Sequence, residues 1–412
     1  MFCYWLRCDY LPDSRKEISV KTPLVKLLVT VLLLGAVSTI FMSVMPDYLR
    51  NELGVNGEVR GALEVPREFP GFLLVFIAGF LVRIQRSKAI AMVFVVGIAA
   101  FLGFAFLTDS LLKFVLFMVV WSSAMHAFIP LRDTTAIEIA GQGRRGWVLG
   151  RVGAYRSIGL ITGTAIVWIL MSQLKTDFKV TWVVGAVLLI PGIFISLSLP
   201  HSTGDRERIT AKRFVFRKKY RLFYALSMLF GARKQIFLTF APWLLVSVYN
   251  QRAPQLALAM GASALIGIFL KPVFGKLIDR LGERTVLMAD AVLILLLSTA
   301  YAVVPQLAGP GTALALLYCF FVLDELLFSL SMARTTYLSS IIENKAEMVP
   351  TIGLGGTIDH IVSMTVPVIG GILWMKVGPW AVFAMAGLVA VITFFTVSTM
   401  RKQPLHTAGK HI

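Results

Sequence analysis

Blocks of roughly 20 apolar residues follow one another along almost the whole 412-residue chain, and this recurrence restricts its fold more than any other feature. An α-helix rises about 1.5 Å per residue, so each block matches the ~30 Å hydrocarbon layer of a bilayer. The blocks do not alternate apolar and polar residues, which excludes the roughly 10-residue dyad pattern of a membrane β-barrel. Only 15% of the residues are charged, against about a quarter in a soluble chain. The expected fold class is an all-α polytopic membrane protein.

Hydropathy gives twelve helices, near 22–46, 59–82, 88–108, 112–138, 148–173, 179–199, 221–248, 254–277, 285–305, 310–334, 348–375 and 378–400. Lys and Arg number 40 against 22 Asp and Glu, a formal charge of +18. In a soluble chain that excess would suggest nucleic acid; here the cations sit in short connectors between apolar blocks, so no nucleic-acid partner is expected. "RIQRSK" (83–88), "GQGRRG" (141–146) and "GKLIDRLGER" (275–284) are basic, and eight Lys or Arg lie from Arg206 to Arg221. The alternate loops hold few. By the positive-inside rule both termini are cytoplasmic, in an inner or plasma membrane. The organisation expected is a tail (1–21), a six-helix bundle (22–199), a basic linker (200–220), a second bundle (221–400) and a tail (401–412).

The two bundles share an internal repeat. "LLGAVSTIFMSVMPDYL" (33–49) matches "LFGARKQIFLTFAPWLL" (229–245), placing Gly35 on Gly231, Ile40-Phe41 on Ile236-Phe237 and Pro46 on Pro242. Farther along, "RDTT" (132–135) matches "ARTT" (333–336), and "LGRVGAYR" (149–156) matches "IGLGGTID" (352–359), which sets Arg156 against Asp359. Two parallel six-helix halves suit a transporter with its site between them.

With this plan, "GKLIDRLGERTVL" (275–287) resembles the signature loop of the major facilitator superfamily (MFS). The resemblance implies two pseudo-symmetric six-helix bundles and alternating access by their rocking. It also implies that Asp279, Arg280 and Arg284 bridge helix ends across the halves. In the first-half copy, Arg83 stands where the aspartate belongs. Gly150, Gly159 and Gly163 fit the glycine spacing of the family's antiporters, but Thr164 and Val167-Trp168 depart from that pattern.

Charges inside apolar helices mark the candidate chemistry, since each costs about 2.5–3.5 kcal/mol at mid-membrane unless paired or wet. Arg233 and Lys234 lie about 12–13 residues into the seventh helix, roughly 18–20 Å deep. Asp324 and Glu325 reach similar depth on the tenth helix. At least one bridge between these helices is expected. Either the second cation holds a solute anion, or all four charges only fix packing. Ser38 and Thr39 occupy the equivalent depth in the first half, and Trp243 is a further candidate for lining the path. Asp324, Glu325, Asp359 and His360 are the proton-coupling candidates, with His126 either a weaker one or a packing residue. Glu64, Arg67 and Glu68, bracketed by Pro66 and Pro70, form either a gate on a kinked second helix or a local ion cluster. Arg132, Asp133, Arg156, Lys271 and Arg334 are candidates for closing the inner gate or for solvated helix ends.

Enzymatic readings fail on context. "GQGRRG" fits G-x-G-x-x-G but joins two membrane helices and follows no strand. No Walker sequence, H-E-x-x-H or Cys/His-spaced ligand set occurs, and Cys3, Cys8 and Cys319 form no disulfide framework. The function expected is a non-enzymatic, cofactor-free secondary transporter, acting as a monomer in the lipid bilayer. Its cargo is expected to be a small organic anion or zwitterion, moved with protons or another coupling ion. The alternatives are a proton-driven multidrug exporter and a non-transporting sensor.

Overall fold

A computed structural model describes residues 14–73, 84–140, 145–199, 216–342 and 347–400. Residues 1–13 of the first expected tail, the whole second tail, most of the linker, "GQGR" and Arg83 lie outside the described residues, while residues 14–21, expected in the tail, already belong to the first helix. Among those described there is no strand, and the helices fall where the apolar blocks do. We number them by the expected spans: α1 (Ser14–Asn51), α2 (Gly57–Ala62 and Glu64–Phe72), α3 (Arg86–Phe106), α4 (Leu111–Ala140), α5 (Arg145–Val167, continuing as a π-turn Trp168–Gln173) and α6 (Phe178–Leu197). The second half comprises α7 (Arg221–Ser247), α8 (Ala253–Leu281), α9 (Glu283–Leu307), α10 (Pro310–Leu327, a 3₁₀ turn Phe328–Ser331, and Met332–Ile341), α11 (Met348–Lys376) and α12 (Pro379–Ser398).

Ten of these are long and apolar enough to cross a membrane. The other two, α2 and α7, carry the densest buried charge, and α2 is described only to Leu73. The α2 helix breaks at Leu63 because Pro66 has no N–H to give the Ala62 carbonyl four residues back. Its N-terminus is held by Asn56, whose side chain accepts from the Val59 N–H at 2.9 Å.

The repeat is visible in the packing. In the first half α1 packs on α5 and α3 on α6; in the second, α7 packs on α11 and α9 on α12. A Cβ added at Gly35 would lie 2.9 Å from the Arg156 carbonyl oxygen. One added at Gly231 would lie 2.9 Å from the Asp359 carbonyl oxygen. The two copies thus make one helix crossing twice, in the register that the sequence repeat sets.

The halves meet through α5 against α8 and α2 against α11, again a symmetric pair of contacts. These contacts gather at the face opposite the termini, called here the far face. Asp47, fully buried at the end of α1, accepts from the Ala253 N–H at 2.7 Å and pairs with Arg252 at 3.2 Å. Thr164 donates to the Ala257 carbonyl at 2.9 Å. Gly61 of α2 presses on the backbone of Pro367 and Gly371, while Gly57 lies under Trp374. Toward the terminal face, Gly150 and Gly153 of α5 and Gly353 and Gly356 of α11 have no neighbour among the described residues where a side chain would project. Among the described residues, contact between the halves therefore gathers at the far face.

Gly61→Val should strain the α2–α11 crossing by about 1–3 kcal/mol. Thermal unfolding in detergent should fall by several degrees, whereas Gly153→Val should not lower it.

Candidate functional site

The two cations of α7 serve two different carboxylate partners. Arg233, 5% exposed, lies between Asp290 of α9 at 3.5 Å and Asp324 of α10 at 3.4 Å. Lys234 pairs with Asp359 of α11 at 2.6 Å, and Asp359 also accepts from Ser363 at 3.1 Å. Neighbouring residues on a helix point about 100° apart, so one turn of α7 ties together three helices of its own half. The bridge expected between the seventh and tenth helices is the Arg233–Asp324 pair. Asp290, a buried acid within "LMADAV", was missed, although testing every ionisable residue inside an apolar block would have found it. Arg233, Asp290 and Arg334 also wall a small cavity inside this half. There Arg233 Nη1, Asp290 Oδ1 and Arg334 Nε and Nη1 have no hydrogen-bond partner among the described residues.

The repeat explains which cation is left over. Lys234 and Asp359 correspond to Ser38 and Arg156, so the second half holds an ion pair where the first holds a hydroxyl and a lone guanidinium. Ser38 donates to Met125 Sδ at 3.6 Å. Arg156 is exposed and makes no ion pair among the described residues. It lies within electrostatic reach of Arg132 on α4 and, across the gap between the halves, of Glu325 on α10. Lys271 of α8 joins the same group, exposed and likewise without an ion pair among the described residues. Lys271, Arg156 and Glu325 thus meet at the gap between the halves, called here the chamber, two cations to one carboxylate. Arg132 is already satisfied by Asp133 at 2.7 Å.

The chamber is closed on the far side by a polar network centred on α2. Arg60, 1% exposed, pairs with Glu64 at 2.6 Å; Arg67 pairs with Glu64 and, at 2.6 Å, with Glu68. The network then crosses to the other half. Gln235 of α7 donates to Glu64 Oε2 at 2.6 Å, and His360 Nδ1 meets Glu68 Oε2 at 2.8 Å. Ser122 of α4 donates to the Arg67 carbonyl. The cluster expected on the second helix is therefore a joint between halves. Arg60 and Gln235 were missed because nothing in the local sequence announces that both converge on one glutamate.

The remaining candidates are dispersed. Thr39, Oγ1 bonded to the Gly35 carbonyl at 3.3 Å, and Trp243 are wholly buried in helix packing, away from the chamber in this conformation. Arg334 stacks over Phe230 at 4.3 Å. Asp279 and Arg280 are exposed at the end of α8 and make no ion pair among the described residues; Glu283, not Asp279, occupies the first turn of α9. Arg284 donates to the Ser398 carbonyl at 2.8 Å, capping α12 within its own half, as Lys26 caps α6 through Ser198 at 2.8 Å.

Removing Glu64 leaves Arg60 charged, buried and without its partner, a loss of about 3–5 kcal/mol. Glu64→Ala should therefore unfold at markedly lower temperature, while Gln235→Ala, which leaves both α2 pairs intact, should cost far less.

Comparison with known proteins agrees with this geometry. The family model for the Major Facilitator Superfamily matches residues 27–349. No curated protein matches the chain by sequence. Among solved structures, a mutant of the nucleoside transporter NupG superposes with a TM-score of 0.76 at 16% identity, covering 92% of this chain and 100% of that one. A mutant of the peptide transporter POT gives 0.70 at 15% identity, covering 91% and 93%. A bacterial homologue of the human lysosomal transporter Spinster, solved inward-facing and unoccupied, gives 0.65 at 14%, covering 92% and 95%. With two repeated six-helix halves, a chamber between them and a family match over most of its length, the chain belongs to the major facilitator superfamily of membrane transporters, and it is not an enzyme.

Proposed function

We propose that the protein moves a small organic anion or zwitterion by alternating access, coupled to protons, in a cell membrane with both termini cytoplasmic. The bundles are 22–199 and 221–400, joined by the basic linker. On this reading the far face, where the halves meet, is the outer one, and the chamber faces the cytoplasm, as in the inward-facing state in which the Spinster homologue was solved. Rocking of the halves would break the α2–α7 and α2–α11 bonds on the outer side and close the chamber inside.

The observation that carries the reading is Arg156, a cation facing the chamber with no carboxylate of its own. Arg233 and Lys234 are committed to Asp290, Asp324 and Asp359, so recognition of a negative group falls to Arg156 and Lys271. A pre-placed guanidinium binds a carboxylate or phosphate through paired, charge-assisted hydrogen bonds. Glu325, half-buried and without an ion pair among the described residues, balances those cations when the chamber holds no anion. An arriving anion competes for the same cations, and a proton on Glu325 removes the repulsion; solute and proton thus favour each other by Coulomb's law. Asp324 and the Lys234–Asp359 pair serve as helix-to-helix struts in the same half.

A thermal-shift panel of organic anions, sugars and lipophilic cations tests this. At least one anion should raise the unfolding temperature of the purified chain. Arg156→Ala or Lys271→Ala should weaken its binding at least tenfold. In vesicles, that solute should drive proton movement in the parent and not in Glu325→Gln. Anion stabilisation unchanged in both cation variants would refute the recognition reading. Stabilisation by lipophilic cations alone would favour the multidrug-export reading instead.

A further inference from the structure

The network at the joint also brings a second imidazole against the Glu68–His360 pair. His126 of α4 and His360 of α11 face each other with ring centroids 5.1 Å apart, beside Glu68 of α2. One ligand atom from each of Glu68, His126 and His360 lies within 4.8 Å of the other two. The three residues are far apart in sequence, which is why no ligand spacing betrays them; only the meeting of the halves assembles them. Gly71 makes the meeting possible, since a Cβ there would strike both imidazole rings.

The protonation pattern of His126 follows from its neighbours. Its Nδ1 lies 2.9 Å from the Ser122 carbonyl oxygen, which can only accept, so Nδ1 carries the hydrogen and Nε2 presents its lone pair to the cluster. A ring N–H given to a backbone carbonyl is the usual support for a metal-ligating histidine, because it fixes the ring and raises its basicity. The Ser122 hydroxyl, 3.1 Å from the same Nδ1, braces it further. Glu68 keeps one oxygen on Arg67 and offers the other, now shared with His360. Two imidazoles and one carboxylate form a donor set suited to Zn²⁺ among the common divalent ions and unsuited to Mg²⁺ or Ca²⁺, which take oxygen ligands.

We infer that Glu68, His126 and His360 form a binding site for Zn²⁺ or a similar first-row divalent cation. The ion would replace the Glu68–His360 hydrogen bond with coordination from α2, α4 and α11, and so clamp the two halves together at the far side. A cation held there stabilises the closed far face and slows transport whatever the solute, so this inference stands independently of the cargo proposed above. The local charges leave room for modest affinity: Arg60 and Arg67 offset Glu64 and Glu68, and Lys234 offsets Asp359.

The test uses the full chain, purified without a histidine tag, with His201, His406 and His411 replaced by Ala so that no other histidine remains. Micromolar Zn²⁺ should raise the thermal unfolding temperature by several degrees and EDTA should reverse it; millimolar Mg²⁺ should do neither. His126→Gln and His360→Gln, each added singly, should weaken the apparent affinity at least tenfold. Titrating Co²⁺ into the same three-Ala chain reads the site without those variants, and its visible absorption should saturate at one ion per chain. No Zn²⁺ shift, no saturable Co²⁺ absorption, or a shift retained in both Gln variants would overturn the site.

Discussion

A charge at the middle of a membrane protein must find a partner, and the energetic penalty of leaving it alone shapes this structure more than any other interaction. Glu64 answers for Arg60 and Arg67 and also accepts from Gln235 of the opposite half. One buried carboxylate therefore secures the α2 helix internally and ties it to the second bundle. Glu68 repeats the arrangement with Arg67 and His360. At the far face, loss of Glu64 strands the buried Arg60, whereas loss of Gln235 leaves Glu64 with both of its arginines.

The second determinant is the repeat and its single large departure from symmetry. Gly35 over Arg156 and Gly231 over Asp359 place the two helix crossings in one register. At those crossings the second half is electrically closed through Lys234 and Asp359, whereas the first half pairs a serine with an arginine. Pseudo-symmetry supplies two matching frames. The charge exchange between them leaves Arg156 at the gap between the halves without an ion pair among the described residues.

Much of the architecture was legible in the sequence because bilayer thickness imposes helix length directly; most described helix limits agree within a few residues, while α1 begins eight residues earlier and α10 ends seven later than expected. The repeat was legible because glycines at close crossings tolerate no side chain. The Arg233–Asp324 bridge could be expected from matching depth alone. Depth does not give azimuth, however, and so Lys234 was not assigned to Asp359, nor Asp290 to Arg233. Contacts between halves were the least legible. Gln235 meeting Glu64, His126 meeting His360 and Asp47 meeting Ala253 depend on how two bundles dock, which no local pattern encodes. The signature loop misled in one respect: its resemblance implied bridging across the halves, while Arg284 caps a helix of its own bundle.

Carboxylates of α2 join the two halves at the far face. Pulsed electron-resonance distances between spin labels at Glu52 and Leu307, at the far-face ends of α1 and α9 in opposite halves, measure this directly in a chain with Cys3, Cys8 and Cys319 replaced by Ser. The parent should show one short, dominant distance. With Glu68→Gln and Gln235→Ala combined, a second, longer population should grow at its expense. An unchanged distance distribution in that double variant would contradict the account.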